Sequence, residues 1–199
     1  MASTAAPYGL KPVKMVGNRP YAGATNLYRI TTNYATSIFT GDVVSIVAAG
    51  TLEKVSTFGT AASQFPAGTA GVFVGCVYTD PSTKQPRWSQ TWVGGTAASD
   101  AYGYVVDDPS VIYMIQANGT VPETARGANI GVVQTAGSTV YGTSKVAADT
   151  ATIGQTATIG LRIIDFSTLP GDAIGDSFTN ILVMFNPTQA HFQGSATGI

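Results

Sequence analysis

Apolar residues in this chain recur mostly at every second position, in short bursts closed by Gly, Pro, Asn or Asp. That period sends successive side chains to opposite faces of an extended strand, and the punctuation marks turns. Residues 25–30 (Thr-Asn-Leu-Tyr-Arg-Ile) alternate in this way, and residues 41–56 read as two β-runs turned at Ala49-Gly50, a hairpin. The run 71–79 places Val72, Val74, Cys76 and Tyr78 on one face and Phe73 and Val77 on the other. Apolar on both sides, it predicts a central strand. Its predecessor, residues 57–70, is a small-residue loop longer than most connections in compact domains.

Further along, residues 87–93 put Trp88 and Trp92 four apart, on one side of a strand. Two such indoles serve either the core or an exposed contact, since tryptophan is also enriched at interface hot spots. Residues 102–106, a turn at Asp107-Asp108-Pro109 and residues 111–116 predict a second hairpin. Residues 123–130 hold a short helical turn limited by Gly127, and the Thr/Ser/Gly/Ala-rich stretch that follows suggests weak strands near 131–134 and 139–142. In residues 156–166, Ala157, Ile159, Leu161 and Ile163 share one face and Thr156, Thr158 and Arg162 the other, a half-buried strand whose expected partner is residues 178–185. Roughly nine to twelve short strands without βα alternation predict an all-β fold, a β-sandwich or a jelly-roll-like barrel.

Composition agrees with that reading. The 199 residues include 27 threonines, 26 alanines, 23 glycines and 19 valines, a mixture suited to extended segments and tight turns rather than helices. Charge alters the picture at the N-terminus. Lys11, Lys14, Arg19 and Arg29 all precede the first acidic residue, Asp42, so residues 1–41 carry +4 while the remainder carries six basic and eleven acidic groups. Pro, Gly and Tyr interrupt residues 1–24, which predicts an extended basic arm ahead of a single β-domain over 25–199. A frayed terminus is the plain alternative. Against it, Tyr8, Leu10, Val13, Met15, Val16 and Tyr21 are apolar groups that a solvated tail does not need.

Little in the chain can do chemistry. His191 is the sole imidazole, Cys76 the sole thiol, and only two glutamates occur. A nucleophile needs a base within hydrogen-bond reach, and one His with one Cys cannot supply the usual zinc set, so no enzyme activity, metal or cofactor is expected. Asp107-Asp108 and Asp172/Asp176 sit in turn contexts without calcium-loop spacing. A net charge of −1 lacks the Lys/Arg cluster that phosphates require, so no nucleic-acid partner is expected. No apolar run reaches the ~20 residues of a spanning helix, and residues 1–15 lack a secretory apolar stretch, which predicts no membrane partner and synthesis in a cytosol.

The opening Ala5-Ala-Pro-Tyr-Gly-Leu-Lys-Pro-Val13, the strand start Gly41-Asp-Val-Val44, the strand Gly71-Val-Phe-Val-Gly75, the turn and strand Asp107-Asp-Pro-Ser-Val-Ile-Tyr113 and the closing segment from Leu161-Arg-Ile-Ile164 to Asn186 together resemble capsid cement, or decoration, proteins. These are structural proteins encoded beside the major capsid gene in tailed bacteriophages. The resemblance implies a sandwich or jelly-roll-like subunit, trimeric more often than dimeric, on the capsid exterior of the virion, where it binds the major capsid protein and bridges neighbouring capsomers. In that setting Tyr8, Leu10, Lys11, Lys14, Arg19 and Tyr21 of the arm are the expected contact residues. A receptor- or carbohydrate-binding fibre module of a phage particle is the alternative reading of the same Thr/Gly/Ala-rich surface and paired Trp.

Overall fold

The long apolar run is the organising strand. In the computed structural model, which describes residues 4–55, 65–66 and 68–186, it forms β7 (Thr69–Thr79). Its antiparallel neighbours are β10 (Tyr102–Val106) on one side, and β5 (Val43–Ile46) and β8 (Pro86–Ser89) on the other. The hairpin partner of β5 is β6 (Leu52–Lys54), turned through Gly50 as expected, and β3 (Asn26–Arg29) flanks β10. These six strands make one sheet. The second sheet has seven strands in the order β13 (Ala147–Gly154), β12 (Asn129–Val133), β14 (Leu161–Phe166), β15 (Asn180–Phe185), β11 (Val111–Gln116), β1 (Lys11–Met15), β2 (Arg19–Pro20). A two-stranded piece, β4 (Ile38–Phe39) with β9 (Thr91–Trp92), completes an all-β, sandwich-like fold. The only helical element among the described residues is a 3-10 turn, Glu123–Ala125, stopped at Gly127.

The middle of the six-stranded sheet, β5 and β7, is buried on both faces, which is why those strands read as apolar, whereas β3 and β8 are largely exposed. One face meets the seven-stranded sheet: Val43, Val72 and Val106 pack with Tyr113, Ile115, Leu161, Ile163, Ile181, Val183 and Phe185. The Tyr113 and Phe185 rings meet edge to face at 5.6 Å, and the buried Tyr113 hydroxyl donates to the Val106 carbonyl. The other face carries a second core of Ile30, Ile38, Val44, Leu52, Phe73, Cys76, Tyr78, Trp92 and Val105. Beneath β5 lies an ion pair, Lys54 Nζ to Asp42 Oδ2 at 2.8 Å, both side chains buried. The same Asp42 oxygen accepts the Phe39 N–H, while Oδ1 has no partner.

Several expectations change. Residues 4–24 are not a projecting arm: β1 inserts between β11 and β2, and Leu10 is 1% exposed in the main core. Ahead of β1 the Ala6 N–H donates to Gln116 Oε1 and Gln116 Nε2 donates to the Thr4 carbonyl. Gly9 and Gly41 lie left-handed and so close that a Cβ on Gly41 would come within 2.7 Å of the Tyr8 carbonyl oxygen. The expected second hairpin is a corner between sheets, because β10 pairs in the six-stranded sheet and β11 in the seven-stranded one. Asp107, buried at that corner, accepts from Asn26 Nδ2 and the Tyr28 hydroxyl.

In β7, Gly75 opposes Tyr104 while Phe73 opposes Val105, so Val74 is an extra, bulged residue. One inserted residue reverses the alternation, so Cys76 and Tyr78 join Phe73 rather than Val72. Residues 139–142 form a turn instead of a strand, and the strand of this region is β13, an edge whose Ala-Ala-Asp-Thr-Ala-Thr pattern gives little apolar signal. The strand expected over 156–166 begins at Leu161, with residues 157–160 in a turn. Its pairing with β15 is as expected. Most of the 57–70 loop lies outside the described residues.

Candidate functional site

The six residues expected to make the partner contact do not form one patch. Tyr8 is half-buried; its hydroxyl donates to Asn180 Oδ1 at 2.7 Å, and Asn180 in turn donates to both Asp172 carboxylate oxygens. Burial first, and the Asp172 charge second, push the Tyr8 phenol well above its ordinary range. Leu10 is a core residue whose N–H donates to the Gly41 carbonyl. Lys11 is exposed on β1 and Lys14 half-buried. Arg19, on β2, is exposed and its Nε turns back to the Val16 carbonyl. Tyr21 packs against the main core and donates to the Ala24 carbonyl; burial, then the Asp107 charge, raises its phenol.

What the fold does assemble around three of these residues is a groove. Tyr8, Leu10 and Lys11 line an open, mainly apolar depression of about 370 Å³, together with Val74, Met114 and Gly142. Three elements that are distant in sequence meet there: the segment leading into β1, the bulge of β7 and the turn at 138–143. That turn is closed by a bridge between Ser138 and Thr143 and by the Gly142 N–H donating to the Ser138 carbonyl. Its tip carries Val140 and Tyr141, 83% and 79% exposed, beside the groove wall formed by Gly142. Two large apolar side chains presented to solvent on a tight turn bury nothing of their own chain.

These residues escape a reading by alternation. The tip was expected inside a strand, and the only signal against that is the pair of glycines, Gly137 and Gly142, bracketing the segment. Val74 and Met114 are unremarkable strand residues until the bulge and the insertion of β1 bring them together. The paired tryptophans divide: Trp92 is fully buried, with its indole N–H donating to the Tyr34 carbonyl and its ring edge-on to Tyr78 at 5.7 Å, whereas Trp88 is 58% exposed.

Of the titratable groups that line the groove, the Tyr8 phenol is engaged by Asn180 and Lys11 stands exposed on β1. Cys76 is buried, and burial pushes its thiol up to about 12. His191 lies outside the described residues. Among the described residues, no three His, Cys, Asp or Glu side chains are placed to hold a metal ion, and no helix is long and apolar enough to cross a membrane. Comparison with protein-family models, with curated proteins and with solved structures gives no match to this chain.

Proposed function

We propose that this protein is a capsid cement protein of a tailed bacteriophage, bound to the outside of an icosahedral shell where it bridges neighbouring subunits of the major capsid protein. The observation that supports this reading best is the apolar groove at Tyr8, Leu10 and Lys11 with the Val140-Tyr141 tip on its rim. A projecting apolar pair beside an open groove offers a knob and a socket, the arrangement in which aromatic anchors carry most of the energy of a protein contact. The described part of the molecule suits a load-bearing role, with two cores and an N-terminal strand inserted between β11 and β2.

A shell is stabilised by whatever binds its assembled state and not its parts, and many identical contacts add through multivalency. In this role the subunit acts as an oligomer, trimeric before dimeric, and resides on the virion exterior after synthesis in the host cytoplasm. Lys11 on the groove wall, with Lys14 and Arg19 farther along the segment, supplies the charge that orients the contact. The test is the thermal stability of shells that lack the protein. Adding it raises their disruption temperature, and the double variant Val140→Ser/Tyr141→Ser removes that increase while keeping its own melting temperature. An increase that survives in the double variant overturns the assignment of the contact to this tip.

A further inference from the structure

The face of the six-stranded sheet that packs against the other sheet at Val72 and Val106 runs on beyond that contact, and there it is open. Register fixes what stands on it. Trp88 of β8 opposes Val77 of β7, Val77 opposes Tyr102 of β10, and Tyr102 opposes Arg29 of β3. One rung along on the same face, Gly75 opposes Tyr104 and Tyr104 opposes Leu27. Directly opposed residues share a face, so Trp88, Tyr102, Tyr104, Leu27 and Arg29 form one surface patch. Trp88 is 58% exposed, Leu27 53% and Tyr102 42%. The indole lies against the bare backbone of Gly75, where a Cβ would sit 3.3 Å from Cζ2.

From this platform we infer a carbohydrate-binding site, in which sugar rings stack on Trp88 and Tyr102. Each ring offers an apolar face together with a polar group. Among the described residues the Trp88 indole N–H, the Tyr102 and Tyr104 hydroxyls and the Arg29 guanidinium form no hydrogen bond or ion pair. A pyranose matches that pattern, with C–H faces for the rings and hydroxyls around its edge for the unpaired groups. Trp88 and Tyr102 stand two strand spacings apart, roughly 10 Å, about the length of a disaccharide unit in an extended glycan. A single-stranded nucleic acid also stacks on aromatic residues, but it needs a basic track. Here Arg29 is the one cation on the platform, since the Arg87 guanidinium next to Trp88 in sequence meets the Asp80 carboxylate at 3.3 Å.

The inference uses residues that do not line the groove and stands or falls independently of the cement reading. Its test is intrinsic fluorescence of the full chain titrated with soluble cello-, malto-, laminari- and chito-oligosaccharides, with an oligogalacturonate and with oligo(dT). Trp92 is buried, so quenching reports Trp88. The expected result is saturable quenching by at least one oligosaccharide, at least ~10-fold weaker binding in Tyr102→Ala, and loss of binding in Trp88→Ala by calorimetry, both variants keeping the parent melting temperature. Three results overturn it: no oligosaccharide binds, only oligo(dT) binds, or sedimentation shows a self-association that Trp88→Ala abolishes in place of sugar binding.

Discussion

At the residue scale the sharpest commitments are the buried charges and the buried thiol. Lys54 and Asp42 are enclosed together, and Asp42 already has one oxygen without a partner. Removing the lysine strands a carboxylate in the core, so Lys54→Met is expected to cost about 3–5 kcal/mol, while Lys54→Met/Asp42→Asn recovers part of it. Urea unfolding of the three proteins measures both quantities. Cys76 gives a pH dependence with a definite sign. Burial raises the folded thiol from 9.0 to about 12, so above pH ~9 the unfolded chain loses its proton while the folded one keeps it. Stability contributed by this group is therefore constant below pH ~9 and falls as pH climbs toward 12. The fully buried Tyr113, its phenol also raised by burial, acts in the same direction at higher pH. A Cys76→Ala variant measured across that range shows a shallower decline.

Elements explain what a reading of the sequence can and cannot reach. β15 and the opening of β14 are legible because their side chains obey a period of two against a buried face, and β5 and β7 because their runs are apolar on both sides between turn residues. Partners were less so. The Asp107-Asp108-Pro109 turn is visible in the residues, yet nothing in it says whether the chain returns to the same sheet or crosses to the other one. That choice is made by Asp107 receiving Asn26 and Tyr28 from β3, a contact 79 to 81 residues away in sequence. The bulge at Val74 is equally silent, and with it went the side assigned to Cys76 and Tyr78. Of the apolar groups in the N-terminal segment, Leu10 reaches the core while Val13 and Val16 stay exposed, and the segment docks on this chain's own β11. Deleting residues 1–16 consequently does more than remove a contact: it uncovers an edge of the seven-stranded sheet and takes Leu10 from the core. The expected outcome is a loss of cooperative unfolding or a melting temperature lower by many degrees, read by circular dichroism, and the point variants Val140→Ser and Tyr141→Ser are the cleaner probes of partner binding.

For the whole molecule, the candidate site was legible only in part. Tyr8, Leu10 and Lys11 do line the groove, but Val74, Met114 and the Val140-Tyr141 tip reach it through topology that no local pattern encodes. The described residues present a groove with an apolar knob and, along β7 and β8 from it, an aromatic platform around Trp88. Central to this account is binding to the assembled shell. Co-sedimentation of the purified protein with mature shells lacking it, beside their immature precursors, tests that directly. Saturable binding to mature shells at a fixed ratio to the major capsid protein, lost in Val140→Ser/Tyr141→Ser, is the predicted result; no binding to either shell would contradict it.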